Sequence, residues 1–224
     1  MGDRRCRRSD DAAVRSSDIM AHIDRRTCLA LAGSAWCSAL LAGRGEGRTL
    51  PSPRDAIRAR YFPNVALRTH HDRHVRFYDD LIKDKIVIIN FMYAECEGVC
   101  PGITANLRKV QTLLGDRVGR DIFMYSITLK PAEDTPAALD AYATMHDAGP
   151  GWLFLTGDPG DVELLRRKLG FVSPDPRLDA DTSQHIGNIR YGNEPRQLWA
   201  ACPGLASPRW IVESLSWLDR RESL

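Results

Sequence analysis

Continuous hydrophobic runs alternate with amphipathic segments in residues 63–224, and this pattern predicts strands followed by helices. The run at residues 85–93 is almost entirely apolar, which is typical of a central strand buried on both faces. The next segment repeats apolar residues at helical spacing, at Ile103, Leu107, Val110 and Leu114. Similar runs predict strands at residues 122–129 and 152–155, and helices at residues 135–146 and 162–169. We therefore predict an α/β fold in which helices flank a central sheet.

Each end of this domain carries a predicted β-hairpin. A polar turn at residues 70–73 separates two short extended segments and predicts an N-terminal hairpin. Three histidines lie in or beside the turn, namely His70, His71 and His74. They could form a copper-scavenging cluster, but we favour a solvated hairpin tip. Near the C terminus, residues 185–200 predict another hairpin and residues 208–218 a closing helix.

Residues 23–43 have the layout of an export signal. Arg25 and Arg26 precede an uncharged apolar run at residues 28–43, and small residues suited to signal peptidase end that run. The run is shorter than the roughly 20 residues that a membrane-spanning helix needs, so we expect cleavage, while a retained signal would act as a membrane tether. The arginine pair favours the twin-arginine route, and a general secretory signal is the alternative.

The chain therefore divides into four expected parts. We expect residues 1–19 to be a disordered or non-translated leader, residues 20–43 the export signal, residues 44–62 a linker and residues 63–224 the folded domain. The net charge of the chain is +2, but residues 61–224 carry 19 basic against 22 acidic side chains. Because this part has no basic stripe with interleaved aromatics, we exclude nucleic acid as a partner.

Six cysteines are too few for a disulfide scaffold in 224 residues, and three of them precede residue 40. Cys96 and Cys100 lie in the sequence CEGVCP, between the apolar strand and the following helix. Cys202 is about a hundred residues away, and we expect it to be a buried structural thiol. The pair at residues 96 and 100 is therefore the candidate for chemistry.

A thiol at the start of a helix faces unpaired N–H groups and the positive end of the helix dipole, so we expect a lowered pKa for Cys100. Two thiolates four residues apart can converge on one ion, and soft sulfur ligands favour Cu(I), Zn(II) or an iron–sulfur cluster. Two ligands leave a site incomplete. Among the histidines, His185 is the best candidate for a third ligand, although spacing alone does not establish it.

Four ordered motifs carry a resemblance to a known family. They are FMYAECEGVCP at residues 91–101, SITL with DTP at residues 126–136, LTG at residues 155–157 and QH at residues 184–185. In order and spacing these motifs resemble the Sco/SenC family, over about residues 63–218. The resemblance implies a thioredoxin-like three-layer fold with a mixed central sheet. It also implies that Cys96, Cys100 and His185 bind one copper ion, as Cu(I) or Cu(II).

The resemblance further implies a role in the assembly of cytochrome c oxidase. Sco/SenC proteins deliver copper to the CuA centre of that enzyme, or keep the cysteines of the centre reduced. An exported bacterial member would do so in the periplasm, with the CuA subunit or another copper-accepting client and a thiol reductant as partners. The chain departs from the commoner pattern at Lys130-Pro131, where many members have Asp-Pro, and at residues 186–190, so its client could differ.

Two other interpretations of the cysteine pair remain open. Cys96 and Cys100 could be the catalytic pair of a thiol–disulfide oxidoreductase, in which one cysteine attacks a client disulfide and the other resolves the mixed disulfide. The spacing of three residues, instead of the two typical of thioredoxin-like reductases, favours metal binding. A simple structural disulfide is the third interpretation, and the position of the pair at a helix start disfavours it.

Overall fold

The computed structural model describes residues 52–181 and 187–219. In this part of the chain, seven strands form one mixed sheet in the order β2-β1-β5-β4-β3-β6-β7. The strands are β1 (Ala66–Thr69), β2 (His74–Arg76), β3 (Ile86–Met92), β4 (Ile122–Thr128), β5 (Trp152–Gly157), β6 (Asn188–Asn193) and β7 (Leu198–Pro203). Strands β3, β4 and β5 pair in parallel, whereas β1, β2, β6 and β7 pair with their neighbours in antiparallel fashion.

Helices cover both faces of the sheet. They are α1 (Pro53–Tyr61), α2 (Cys100–Leu114), α3 (Pro136–Met145), α4 (Pro159–Lys168), α5 (Pro176–Ala180) and α6 (Pro208–Asp219), and Phe77–Ile82 forms one π-helical turn. Helices α2, α3 and α6 pack on one face, which we call the cysteine face, and α4 and the π-helical turn pack on the opposite face. The predicted α/β architecture, a mixed sheet between helical layers, is confirmed.

Strand β3 supplies hydrophobic side chains to both cores. Because successive side chains of a strand point to opposite faces, Ile86 and Ile88 enter the core of the cysteine face, while Val87 and Ile89 enter the opposite core. All seven residues of the strand are buried. The continuous apolar run therefore reflects a strand that is covered on both sides.

A helix of nine residues lies in the segment that we expected to be a linker. Helix α1 begins at Pro53, and the Ser52 hydroxyl caps it by accepting a hydrogen bond from the Asp55 N–H. Arg54 anchors the helix through hydrogen bonds to Glu194, a carboxylate that is almost fully buried. The prolines of this segment predicted a linker, but proline is also favoured in the first turn of a helix. Pro53 occupies that position in α1.

The N-terminal turn differs from the expected solvated tip. Strands β1 and β2 pair in antiparallel fashion on either side of it, yet His70 is only 8% exposed, whereas His71 and His74 are exposed. The backbone N–H of His70 donates to the Phe154 carbonyl at 2.8 Å, and its ring Nδ1 accepts from the Phe154 N–H at 3.1 Å. These contacts extend the pairing of β1 with β5 and draw His70 into the fold.

The expected leader, export signal and first part of the linker, residues 1–51, lie outside the described residues. Within the described ranges, no helix is both long and apolar enough to cross a membrane.

Candidate metal centre

The cysteine pair lies at the junction of β3 and α2. Strand β3 ends at Met92, a loop of residues 93–99 follows, and Cys100 is the first residue of α2, with Pro101 in the first helical turn. Neither cysteine is in a disulfide and both are buried, with Cys96 7% and Cys100 1% exposed. The predicted order of strand, cysteine loop and helix is confirmed, and it holds both sulfur atoms in the core of the cysteine face.

The Cys96 sulfur is the acceptor in a small hydrogen-bond network. Burial on its own would raise the pKa of Cys96, but hydrogen bonds from the Cys100 thiol, the Cys100 and Gly98 backbone N–H groups and the Tyr93 hydroxyl lower it. A sulfur surrounded by donors favours the thiolate form. The loop therefore stabilises the thiolate form of Cys96.

The expectation for Cys100 was wrong. We predicted a lowered pKa from its place at the helix start, but burial, and next the hydrogen bond to Cys96, raise the pKa of Cys100. The N–H group at the start of α2 stabilises the Cys96 sulfur, so the helix terminus acts on the neighbouring thiol. The two cysteines therefore differ in protonation. Cys100 is a thiol, and its S–H donates a hydrogen bond to the Cys96 sulfur.

A buried carboxylate fixes the backbone just before the cysteines. Asp134 is 3% exposed, accepts a hydrogen bond from the Ala94 N–H at 3.1 Å and is also hydrogen-bonded by the Thr128 hydroxyl. Burial raises the pKa of Asp134, and both hydrogen bonds oppose that shift. The sequence placed Asp134 in a motif without assigning it a role, because a contact between the β4–α3 connection and the cysteine loop cannot be inferred from spacing.

Lys130, the departure from the family pattern, also contacts the cysteine loop. Its ammonium lies 4.7 Å from the centroid of the Tyr93 ring and 3.2 Å from a Glu133 carboxylate oxygen. A cation over an aromatic face attracts the ring, so Lys130 helps to hold the residue whose hydroxyl bonds to Cys96. An acid at this position would place a negative charge beside the same ring.

The sequence singled out two further residues, His185 and Cys202. His185 lies outside the described residues, which resume at residue 187. Cys202 is 5% exposed and lies in register with Ile189 across β6 and β7, and burial raises its pKa to about 11. It is therefore the buried thiol that the sequence predicted.

A second group of metal-ligating side chains surrounds the N-terminal turn. Potential ligand atoms of His70, His71 and Asp140 all lie within 4.8 Å of one another. However, a neutral imidazole has one nitrogen with a free lone pair, and His70 uses its Nδ1 lone pair to accept from Phe154. The proton then resides on Nε2, so His70 could bind a metal only by breaking that hydrogen bond.

Three proteins with similar sequences or structures place the chain in context. A Stutzerimonas stutzeri protein named for copper binding is 28% identical over 172 residues, which are 74% of this chain and 80% of that protein. Copper-bound ScoI of Bradyrhizobium japonicum has a TM-score of 0.56 at 22% identity, covering 68% of this chain and 96% of that chain. BsSco, described with a disulfide switch and as a Sco cytochrome c oxidase assembly protein, has a TM-score of 0.56 at 19% identity, covering 69% and 90%.

The two solved structures share the fold of this chain, which supports the thioredoxin-like architecture implied by the motifs. The model of the SCO1/SenC family matches residues 66–218. That range includes the cysteine loop, β4, the following residues Lys130 and Asp134, and all of β6 and β7. Because it covers more than half of the sequence, the chain belongs to the SCO1/SenC family.

Proposed function

We propose that this protein binds one copper ion through Cys96, Cys100 and His185 and passes it to the CuA centre of cytochrome c oxidase, or to another copper-accepting client. The observation that carries the proposal is a pair of buried cysteines outside any disulfide, one in the loop before α2 and one at its first residue, with the loop sulfur surrounded by hydrogen-bond donors. Related proteins support it, since one is named for copper binding and another was solved with copper bound.

The donor atoms of the pair fit a soft, low-valent metal ion. Two sulfur atoms that share a hydrogen bond are close enough to bind one ion, and sulfur ligands favour Cu(I). Copper here is cargo, supplied and removed in the course of function. Because Cys100 holds its proton in the absence of metal, its binding as a thiolate must release that proton, and affinity should rise with pH.

The surroundings of His185 support it as the third ligand. A Cβ on Gly187 would lie 3.0 Å from the Ile103 side chain and 3.5 Å from that of Val99, so the chain resumes beside the start of α2. On the other side, Asp181 acts electrostatically on Tyr93. Two residues of chain span at most about 7 Å, so the position of Gly187 supports the proposal of His185 as the third ligand.

Thiol–disulfide exchange is the alternative function of the same pair. In such a reaction the Cys96 thiolate would attack a client disulfide, forming a mixed disulfide and releasing one client thiolate. Cys100 would then lose its proton and displace the second client thiol, leaving a Cys96–Cys100 disulfide and a reduced client. The lowered pKa of Cys96 favours it as the attacking thiol. A periplasmic thiol reductant would have to reduce the pair after each cycle.

We propose the periplasm as the site of action. The arginine pair and the apolar run in residues 20–43 support export, and the four-part organisation of the chain is part of this proposal. An exported dithiol would work in an oxidising compartment, where bound copper or a reductant protects it from oxidation.

The deciding experiment measures copper retained after anaerobic Cu(I) loading of the full chain. Serine replaces Cys6, Cys28 and Cys37 in all samples, so that these thiols cannot bind the ion. We expect about one copper per chain, lost in Cys96→Ala/Cys100→Ala and kept in Cys202→Ala. His185→Ala should weaken binding, and an unchanged affinity would remove His185 from the site. Absence of copper, together with reduction of a disulfide in a CuA-type peptide, would favour the oxidoreductase.

A further inference from the structure

The face of the sheet opposite the cysteines contains a cavity of about 300 Å³. Its walls are mainly apolar and come from α1, the end of α4, β3 and β7. They include Ile57, Phe62, Ile89, Leu169 and the ring of Trp199. A volume of this size is at the lower end of the range typical of small-molecule sites, which are mostly apolar with a few polar groups.

One charged group lines this apolar cavity without a carboxylate partner. The Arg190 side chain lies along Gly170 and Phe171, with a weak hydrogen bond to the Gly170 carbonyl at 3.4 Å and its guanidinium 5.8 Å from the Phe171 ring centroid. Among residues 52–181 and 187–219, no acidic side chain forms an ion pair with Arg190. Burial lowers the pKa of Arg190, as expected of a cation whose environment does not neutralise it.

Trp199, which also lines the cavity, contains a buried donor without a partner. The indole Nε1 of Trp199 is buried and has no hydrogen-bond partner in the described part of the chain. A buried donor without a partner destabilises the folded chain, and a ligand that accepts from it removes that cost. The Arg190 guanidinium, set in a mainly apolar wall, is complementary to an acceptor that carries a negative charge.

We propose that this cavity binds a small amphipathic carboxylate, with its carboxylate on Arg190 and its apolar body against Ile57, Phe62 and Leu169. A carboxylate can accept two parallel hydrogen bonds from one guanidinium, which a neutral ligand cannot match. Metal cations are excluded because the charge at the cavity is positive. The sheet separates this site from Cys96 and Cys100, so the proposal is independent of copper binding.

The test uses decanoate as the probe and the full chain labelled with ¹⁵N. The indole N–H signal of Trp199, assigned from its loss in Trp199→Phe, should move in a saturable way on titration with decanoate. Decanol has nearly the same apolar body without the charge, and we expect it to bind at least about tenfold more weakly. Arg190→Met, which keeps an apolar stem, should weaken decanoate binding by a similar factor.

Arg209→Met is the matched control, because Arg209 is an exposed arginine on α6, which packs on the cysteine face. It should leave decanoate affinity unchanged. Far-ultraviolet circular dichroism and copper retention establish that Arg190→Met is folded. Calorimetric titration of Trp199→Phe with decanoate gives a second measurement of decanoate affinity. The proposal is overturned if decanoate causes no saturable shift of the Trp199 signal. It is also overturned if the unchanged chain binds decanol as tightly as decanoate and Arg190→Met binds decanoate as tightly as the unchanged chain does.

Discussion

The cysteine loop, residues 93–99 followed by Cys100, and the histidine turn, residues 70–74, both contain several side chains that can ligate metals, but the fold uses them differently. In the cysteine loop, donors converge on the Cys96 sulfur, and Cys100 lies within hydrogen-bond distance. In the histidine turn, the lone pair of His70 is already engaged by a backbone N–H group. His71 is exposed, with its Nδ1 3.6 Å from the Asp140 carboxylate.

The difference shows that a suitable residue type is not sufficient for a metal site. A ligand needs a lone pair that the folded protein has not already engaged, together with a geometry that the fold maintains. Asp134 holds the backbone next to the cysteines, so their loop is supported before any ion binds. In the histidine turn, the equivalent interactions stabilise the sheet, and metal binding would have to disrupt them.

The largest expected effect is a loss of copper affinity that occurs in variants of the cysteine loop and not in variants of the histidine turn. Competition with a chromophoric Cu(I) chelator should show that Cys96→Ser and Cys100→Ser each lose more than the roughly 100-fold that an outer-shell change can cost. His70→Asn/His71→Asn should retain the original affinity, because neither residue contributes to the cysteine site. If the double histidine variant lost as much copper as a cysteine variant, the comparison would be invalid.

The second prediction concerns the asymmetry within the cysteine loop. In the metal-free, reduced protein at pH 7, iodoacetamide should modify Cys96 at least about tenfold faster than Cys100, since each pKa unit changes the thiolate fraction about tenfold. Peptide mass spectrometry after timed quenching gives both rates. Tyr93→Phe should slow modification of Cys96, because it removes one hydrogen bond that lowers the pKa of this thiol.

Cys202 serves as the internal control for that measurement. It is buried and its pKa is raised to about 11, so its modification should be slow and unaffected by Tyr93→Phe. Equal rates for Cys96 and Cys100 would mean that the hydrogen-bond network does not distinguish the two thiols.

Local patterns predicted those parts of the molecule that depend on neighbours in sequence. The apolar run of β3, the helical spacing in α2 and the position of Cys96 and Cys100 between them could all be read directly. Helix α1 was missed because its stability depends on Arg54 reaching Glu194, 140 residues away. The state of Cys100 was wrong for a related reason, since burial and its partner Cys96 outweigh the helix terminus.

The third and smallest expected effect concerns the histidine turn. It is a change in how the free energy of unfolding depends on pH. Burial, and next the electrostatic influence of His71, lower the pKa of His70 below its ordinary value of 6.5. The folded state therefore binds a proton at His70 less readily than the unfolded chain does. This contribution to stability is present above pH 6.5 and is lost as the pH falls through the folded-state pKa.

Replacing His70 by Asn tests this assignment, because Asn Oδ1 can accept the Phe154 N–H in place of Nδ1 and does not titrate. Denaturant unfolding of the original chain should show a free energy that falls between pH 7 and pH 5. In His70→Asn the fall should be smaller, because the side chain at this position no longer titrates. His71→Asn is the exposed control and should change that slope less. If His70→Asn kept the full pH dependence, His70 would not be the neutral, backbone-bonded histidine that distinguishes this turn from the cysteine loop.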